Sequence, residues 1–192
     1  MSMDYYIYLK QINRPVAKDF EQYCKGLGLN VTVQPEFAFA AASSYLPMRL
    51  IDDRFSDAES CGGFKTGFEI SFSAYQHEEQ PVKKAGGLLR KLFPPKPTEE
   101  TGWDRATKDC DTVVSLQCRS FDSFSVLMAY VFGAYLVRCR GGVFDDPQTG
   151  QFYDAGKHLE LEIAVILEDL VQKKADGALT VHPFSTWTME MI

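Results

Sequence analysis

Along the chain, apolar and polar positions keep two distinct periods, each marking a different kind of element. Tyr5, Tyr6, Ile7, Tyr8 and Leu9 form an aromatic and β-branched run that predicts a first strand, with a turn at Asn13, Arg14 and Pro15 after it. From Val16 to Lys25 the apolar residues Val16, Phe20 and Tyr23/Cys24 return at helical spacing, and Gly26 and Gly28 close that helix. Asn30 to Gln34 alternates as a short strand. Pro35 to Cys61 reads as mixed, with a further strand within reach at Tyr45 to Ile51. In Phe68 to Tyr75 the alternation is strict: Phe68, Ile70, Phe72 and Ala74 share one face against polar neighbours, as in a half-buried strand. Asp111 to Arg119 resumes the same pattern and is expected to pair with it.

Between those two strands the period is lost. Gln76 to Asp109 holds Gly86, Gly87, Pro94, Pro95 and Pro97 together with the basic residues Lys83, Lys84, Arg90, Lys91 and Lys96, and reads as a long loop excursion at about 76–110. Phe121 to Val137 is apolar on nearly every side, which predicts a helix buried all round, capped by Asp122 or Ser123 and stopped by Gly141-Gly142. Val143 to Asp146, the turn Pro147 to Gly150, and Gln151 to Asp154 have the composition of a hairpin. Lys157 to Lys174 predicts a last helix with the stripe Leu159, Ile163, Ile166 and Leu170. The order predicts one α+β domain spanning residues 1–192, an antiparallel or mixed sheet with helices on one face in the manner of a split βαβ unit.

Composition sharpens the class. With 192 residues, 45% of them hydrophobic and 24% charged, the chain has the usage of an ordinary globular domain and can build a core without a metal or disulfide staple. A formal net charge of -6 argues against nucleic acid as partner and favours encounter with a basic protein. MSMDYYIYLK lacks the basic-then-apolar order of a signal peptide, and no run approaches the roughly 18 apolar residues of a membrane span, so a cytoplasmic location is expected. Five cysteines at wide spacing, with no CxxC pair, read as free thiols in a reducing compartment.

Little in the chain carries chemistry by motif. His77, His158 and His182 have no partner at metal-ligand spacing, so no metal site is expected. The glycine pairs Gly62-Gly63 and Gly86-Gly87 lack the patterns that cradle phosphate, so no cofactor is expected. Cys61, in SCGGFKTG, is the best nucleophile: its glycines admit a substrate and Lys65 can lower the thiol pKa; the bland reading is a loop cysteine beside a turn. The carboxylates Asp52, Asp53, Asp57 and Glu59, and Asp145 and Asp146 with Asp154, could chelate a cation or act as acid and base, but without EF-hand spacing or a second motif they read as solvated acidic loops.

A resemblance enters in the C-terminal third. The apolar helix followed by Arg140-Gly141-Gly142-Val143-Phe144-Asp145-Asp146-Pro147-Gln148-Thr149-Gly150 resembles a segment of small bacterial proteins that are similar to immunity proteins encoded beside polymorphic or type VI secretion toxins. That resemblance implies a non-enzymatic inhibitor that binds a cognate toxin effector through buried aromatic anchors and an acidic rim, and the net charge with the acidic clusters puts that rim at Asp52, Asp53, Asp57, Glu59, Asp145 and Asp146. Two alternatives stand beside it: a small cysteine-dependent enzyme using Cys61 with a histidine, and a homo-oligomer formed through the apolar tail of Phe184, Trp187 and Met189.

Overall fold

The computed structural model describes residues 2–10, 15–35, 37, 39, 43–55, 63–76, 102–119, 122–154 and 156–181. Their strands are β1 (Ser2–Leu9), β2 (Asn30–Val33), β3 (Ser43–Ile51), β4 (Phe64–Ala74), β5 (Thr112–Arg119), β6 (Gly142–Asp146) and β7 (Gln151–Tyr153). The helices are α1 (Ala17–Gly26), α2 (Gly102–Thr107), α3 (Ser123–Arg140) and α4 (Gly156–Ala175). All seven strands join one sheet in the order β2-β3-β4-β5-β1-β6-β7, and every pairing is antiparallel. This is the α+β class that the periodicities predict, with the mixed option removed.

β4 and β5 pair as expected, Ile70 opposite Leu116 and Phe72 opposite Val114. The N-terminal strand does not lie beside its neighbours in sequence. It inserts between β5 and β6, aligning Ile7 with Val114 on one side and with Phe144 on the other. Tyr5, Ile7 and Leu9 are therefore buried on the inner face, while Asp4, Tyr6 and Tyr8 project from the outer one.

α3 lies across the inner face and is the centre of the core. From Phe124 through Val137 only Val126 escapes full burial, because the sheet covers one side of the helix while α1 and α4 cover others. Phe132 illustrates the packing, with ring centroids of Phe20 at 5.2 Å, Phe68 at 5.7 Å and Phe39 at 5.8 Å. Gly133 lets β6 approach: a Cβ there would run into the ring of Phe144. At the helix start the Asp122 carboxylate accepts from the amides of Phe124 (3.0 Å) and Ser125 (3.3 Å). The stop is Gly141, at φ 66°, whose amide donates to the Val137 carbonyl.

Two local expectations shift. Val16 is 51% exposed rather than part of the buried stripe of α1, because it precedes the helix with extended backbone and does not share its period. In α4 the residues fully buried against α3 include Leu167, while Ile166 is half-buried. Residues 77–101 of the excursion lie outside the described residues; beyond them α2 packs its Trp103 on the outer side of the sheet, 4.9 Å from the ring of Tyr8. The helices are thus divided: α1, α3 and α4 on the inner face, the short α2 on the outer.

Candidate functional site

The polar half of each alternating strand forms the outer sheet face, and the antiparallel register sets its side chains in rows. Tyr45, Glu69, Gln117 and Asp4 stand side by side across β3, β4, β5 and β1. The next row is Ser71, Ser115, Tyr6 and Asp145, across β4, β5, β1 and β6. Gln117 Nε2 donates to Asp4 Oδ1 at 3.1 Å, which orients one carboxylate, while Glu69 extends into solvent. A depression of ≈ 220 Å³ is lined by Asp4, Tyr6, Glu69, Ser71, Ser115 and Gln117. A second, of ≈ 380 Å³, adjoins it through Glu69 and Gln117 and runs to Ser2, Tyr45, Gly67 and Arg119.

Gly67 shapes that second depression. A Cβ at this position would run into the Leu46 carbonyl and meet the Tyr45 ring at 2.8 Å, so glycine lets β3 and the phenol lie close over β4. Burial pushes the Tyr45 hydroxyl above its ordinary range, the Asp122 charge adds to the shift, and the group is therefore a neutral hydroxyl at physiological pH.

Beneath α2, between the end of β4 and β7, the same face turns aromatic. The Tyr8 ring lies 4.8 Å from Tyr75 and 4.9 Å from Trp103, and Trp103 lies 5.6 Å from Phe152, which is 40% exposed. Burial, with Asp145 nearby, pushes the Tyr8 phenol up to about 12. Asp145 is itself raised from the ordinary carboxylate range, first by burial and then by the adjacent Asp146. The face thus joins acids and hydroxyls at its centre to a stiff aromatic corner.

The carboxylates singled out in the sequence are placed unequally. Asp146 is 2% exposed: it accepts from the Tyr130 hydroxyl, from Gln148 N at 2.9 Å and from Thr149 Oγ1 at 3.1 Å, so it organises the β6–β7 turn from inside. Asp52 is 7% exposed and held by Arg54, through Nε at 2.9 Å and backbone N at 3.0 Å. Burial alone would raise the Asp52 pKa, but the hydrogen bonds and charge of Arg54 prevail and lower it. These two residues are corrected from rim positions to internal anchors. Asp53 is exposed and Asp145 faces outward, yet β3 and β6 stand four strands apart, roughly 19 Å, so the two acidic loops do not converge. Asp57, Glu59 and Cys61 lie outside the described residues, as do His77 and His182.

Among the described residues no group of His, Cys, Asp and Glu gathers as a metal site. His158 is an exposed residue in the first turn of α4. Cys24 and Cys118 are buried thiols whose pKa burial drives far upward, so neither is a ready nucleophile. No described helix is long and apolar enough to cross a membrane. Compared with protein families, curated proteins and solved structures, the chain shows no significant match to any.

Sequence reasoning passed over Asp4, Glu69, Gln117 and Tyr45. Their signal was present: they occupy the polar phase of the same strands whose apolar phase marked the core. What was missing was the strand order that sets them side by side.

Proposed function

We propose that this chain is a non-enzymatic immunity protein that binds a cognate toxin effector through the outer face of its sheet. One observation supports the reading above all: the two adjoining depressions over Asp4, Glu69 and Gln117, with Arg119 lining the second, lie on one sheet face with the Tyr8–Tyr75–Trp103–Phe152 cluster, so charged and hydrogen-bonding groups stand beside aromatic anchors. The first depression, where Asp4 and Glu69 have no cation among the described lining residues, suits a basic group of a protein partner. Carboxylates steer the encounter, and aromatic side chains with few rotamers hold the complex once formed. The net charge of -6 and the likeness of the Arg140–Gly150 segment to immunity proteins point the same way.

The test is co-purification with the product of the adjacent toxin gene, followed by binding kinetics at two ionic strengths. Asp4→Asn combined with Glu69→Gln is expected to slow association severalfold and to flatten its salt dependence, whereas Trp103→Ala is expected to speed dissociation by tenfold or more. Absence of any complex with the parent protein defeats the immunity reading. A complex with unchanged kinetics in all three substitutions defeats the choice of surface alone.

A further inference from the structure

α4 buries Leu159, Ile163, Leu167 and Leu170 against the rest of the fold and still presents two large aliphatic side chains to solvent on its opposite face. Leu161 is 61% exposed and Val165 60%, although both are large aliphatic residues on one helix. His158, Leu161, Val165 and Glu168 recur at spacings of three, four and three, the seam spacing of a helix that pairs with another. A helix needing only α3 as its partner requires no second seam.

We propose that this seam is the contact between two copies of the chain, with their α4 helices antiparallel about a two-fold axis near Ile163. In that arrangement Leu161 meets Val165 of the second copy, and by symmetry Val165 meets its Leu161, giving a closed, isologous contact. Lys157 and His158 at one end then fall over Glu168 and Asp169 of the second copy. A parallel pairing would instead set lysine over lysine and glutamate over glutamate, so the charge pattern selects the antiparallel form. Asp169 already has Lys173 at 2.6 Å, but both side chains are about half exposed, and such an ion pair exchanges partners at little cost.

The contact is short, a single pair of helices. It falls below the standard size of a permanent interface, so the dimer is weak and concentration-dependent. It uses the side of the helical layer facing away from the sheet. Each copy keeps its outer sheet face open, and the dimer stands independently of whether that face binds a toxin.

Sedimentation equilibrium of the full chain over a wide concentration range tests the idea. The weight-average mass is expected to climb from 21.6 kDa towards twice that value. Leu161→Glu with Val165→Glu is expected to hold the protein monomeric throughout, with an unchanged melting curve because both sites are exposed. Glu168→Lys alone is expected to weaken the dimer by tenfold or more, and adding Lys157→Glu and His158→Glu in the same chain to restore it. A parent protein that stays monomeric at the highest concentration overturns the proposal. So does a dimer indifferent to Leu161→Glu and Val165→Glu, or one that the compensating charge swap fails to rescue.

Discussion

At the scale of single residues, the two acids of the Asp145-Asp146 pair differ only in which face of β6 they occupy, and that difference governs their energetics. Asp146 points inward to Tyr130 and accepts from the Gln148 amide, so Asp146→Ala strands the buried Tyr130 hydroxyl and removes the side-chain partner of one turn amide. The expected loss is about 2–4 kcal/mol in chemical denaturation, with Tyr130→Phe costing about 1 kcal/mol. Asp145 faces outward into a half-buried position where burial and its neighbour raise its pKa. A carboxyl whose folded pKa exceeds its unfolded one holds its proton more tightly when folded, and stability declines as pH rises through that window. Asp145→Asn is therefore expected to raise Tm at neutral pH, with the advantage vanishing below the carboxylate range; a pH series of melting curves checks it. Asp52 has the opposite sign. Its lowered pKa contributes stability above the unfolded carboxylate pKa, which is lost as pH falls through the folded value, and Asp52→Asn removes that dependence.

At the scale of elements, α3 and α4 show how one helix makes another necessary. α3 is apolar all round and cannot be covered by a sheet on one side only, so α4 and α1 complete its burial. Ile163→Asp, on the face that α4 turns to the core, is expected to abolish cooperative unfolding, since an unpaired carboxylate in that layer costs several kcal/mol. Gly133→Ala should also destabilise. The added methyl improves helix propensity by about 1 kcal/mol but meets the Phe144 ring, and overpacking of about 1–3 kcal/mol outweighs the gain. Circular dichroism melts of the two variants separate local strain from loss of the fold.

At the scale of the molecule, β1 is the keystone of the sheet. It pairs with β5 and β6, more than a hundred residues away in the chain, and supplies Tyr5, Ile7 and Leu9 to the core. Hydrogen exchange is expected to be slowest in β1, β5 and α3, opening only with global unfolding, and fastest at β7, a three-residue edge strand. The other edge is guarded: the Val33 amide donates to Glu21 Oε1 of α1 at 2.8 Å, which blocks a ladder position that a foreign strand would otherwise use. Glu21→Ala is expected to speed exchange at Val33 while leaving β1 unchanged.

Much of this protein is determined by periodicity alone, because amphipathic spacing is a local property of the chain. β4 and β5 are legible in their two-residue alternation, α3 in its unbroken apolar content, α4 in its stripe, and the α3 stop in Arg138 to Gly142. A helix or strand with one buried face writes that face into its own residues. The tertiary structure decided what no local window contains. Insertion of β1 between β5 and β6 depends on the apolar surface buried by the whole sheet, and only that order sets Asp4, Gln117 and Glu69 in one row. It decided, too, which carboxylates became anchors and which stayed in water. Asp52 and Asp53, like Asp145 and Asp146, are adjacent identical residues, and in each pair the one turned inside finds a partner: Arg54, two residues on, for Asp52, and Tyr130 of α3 for Asp146.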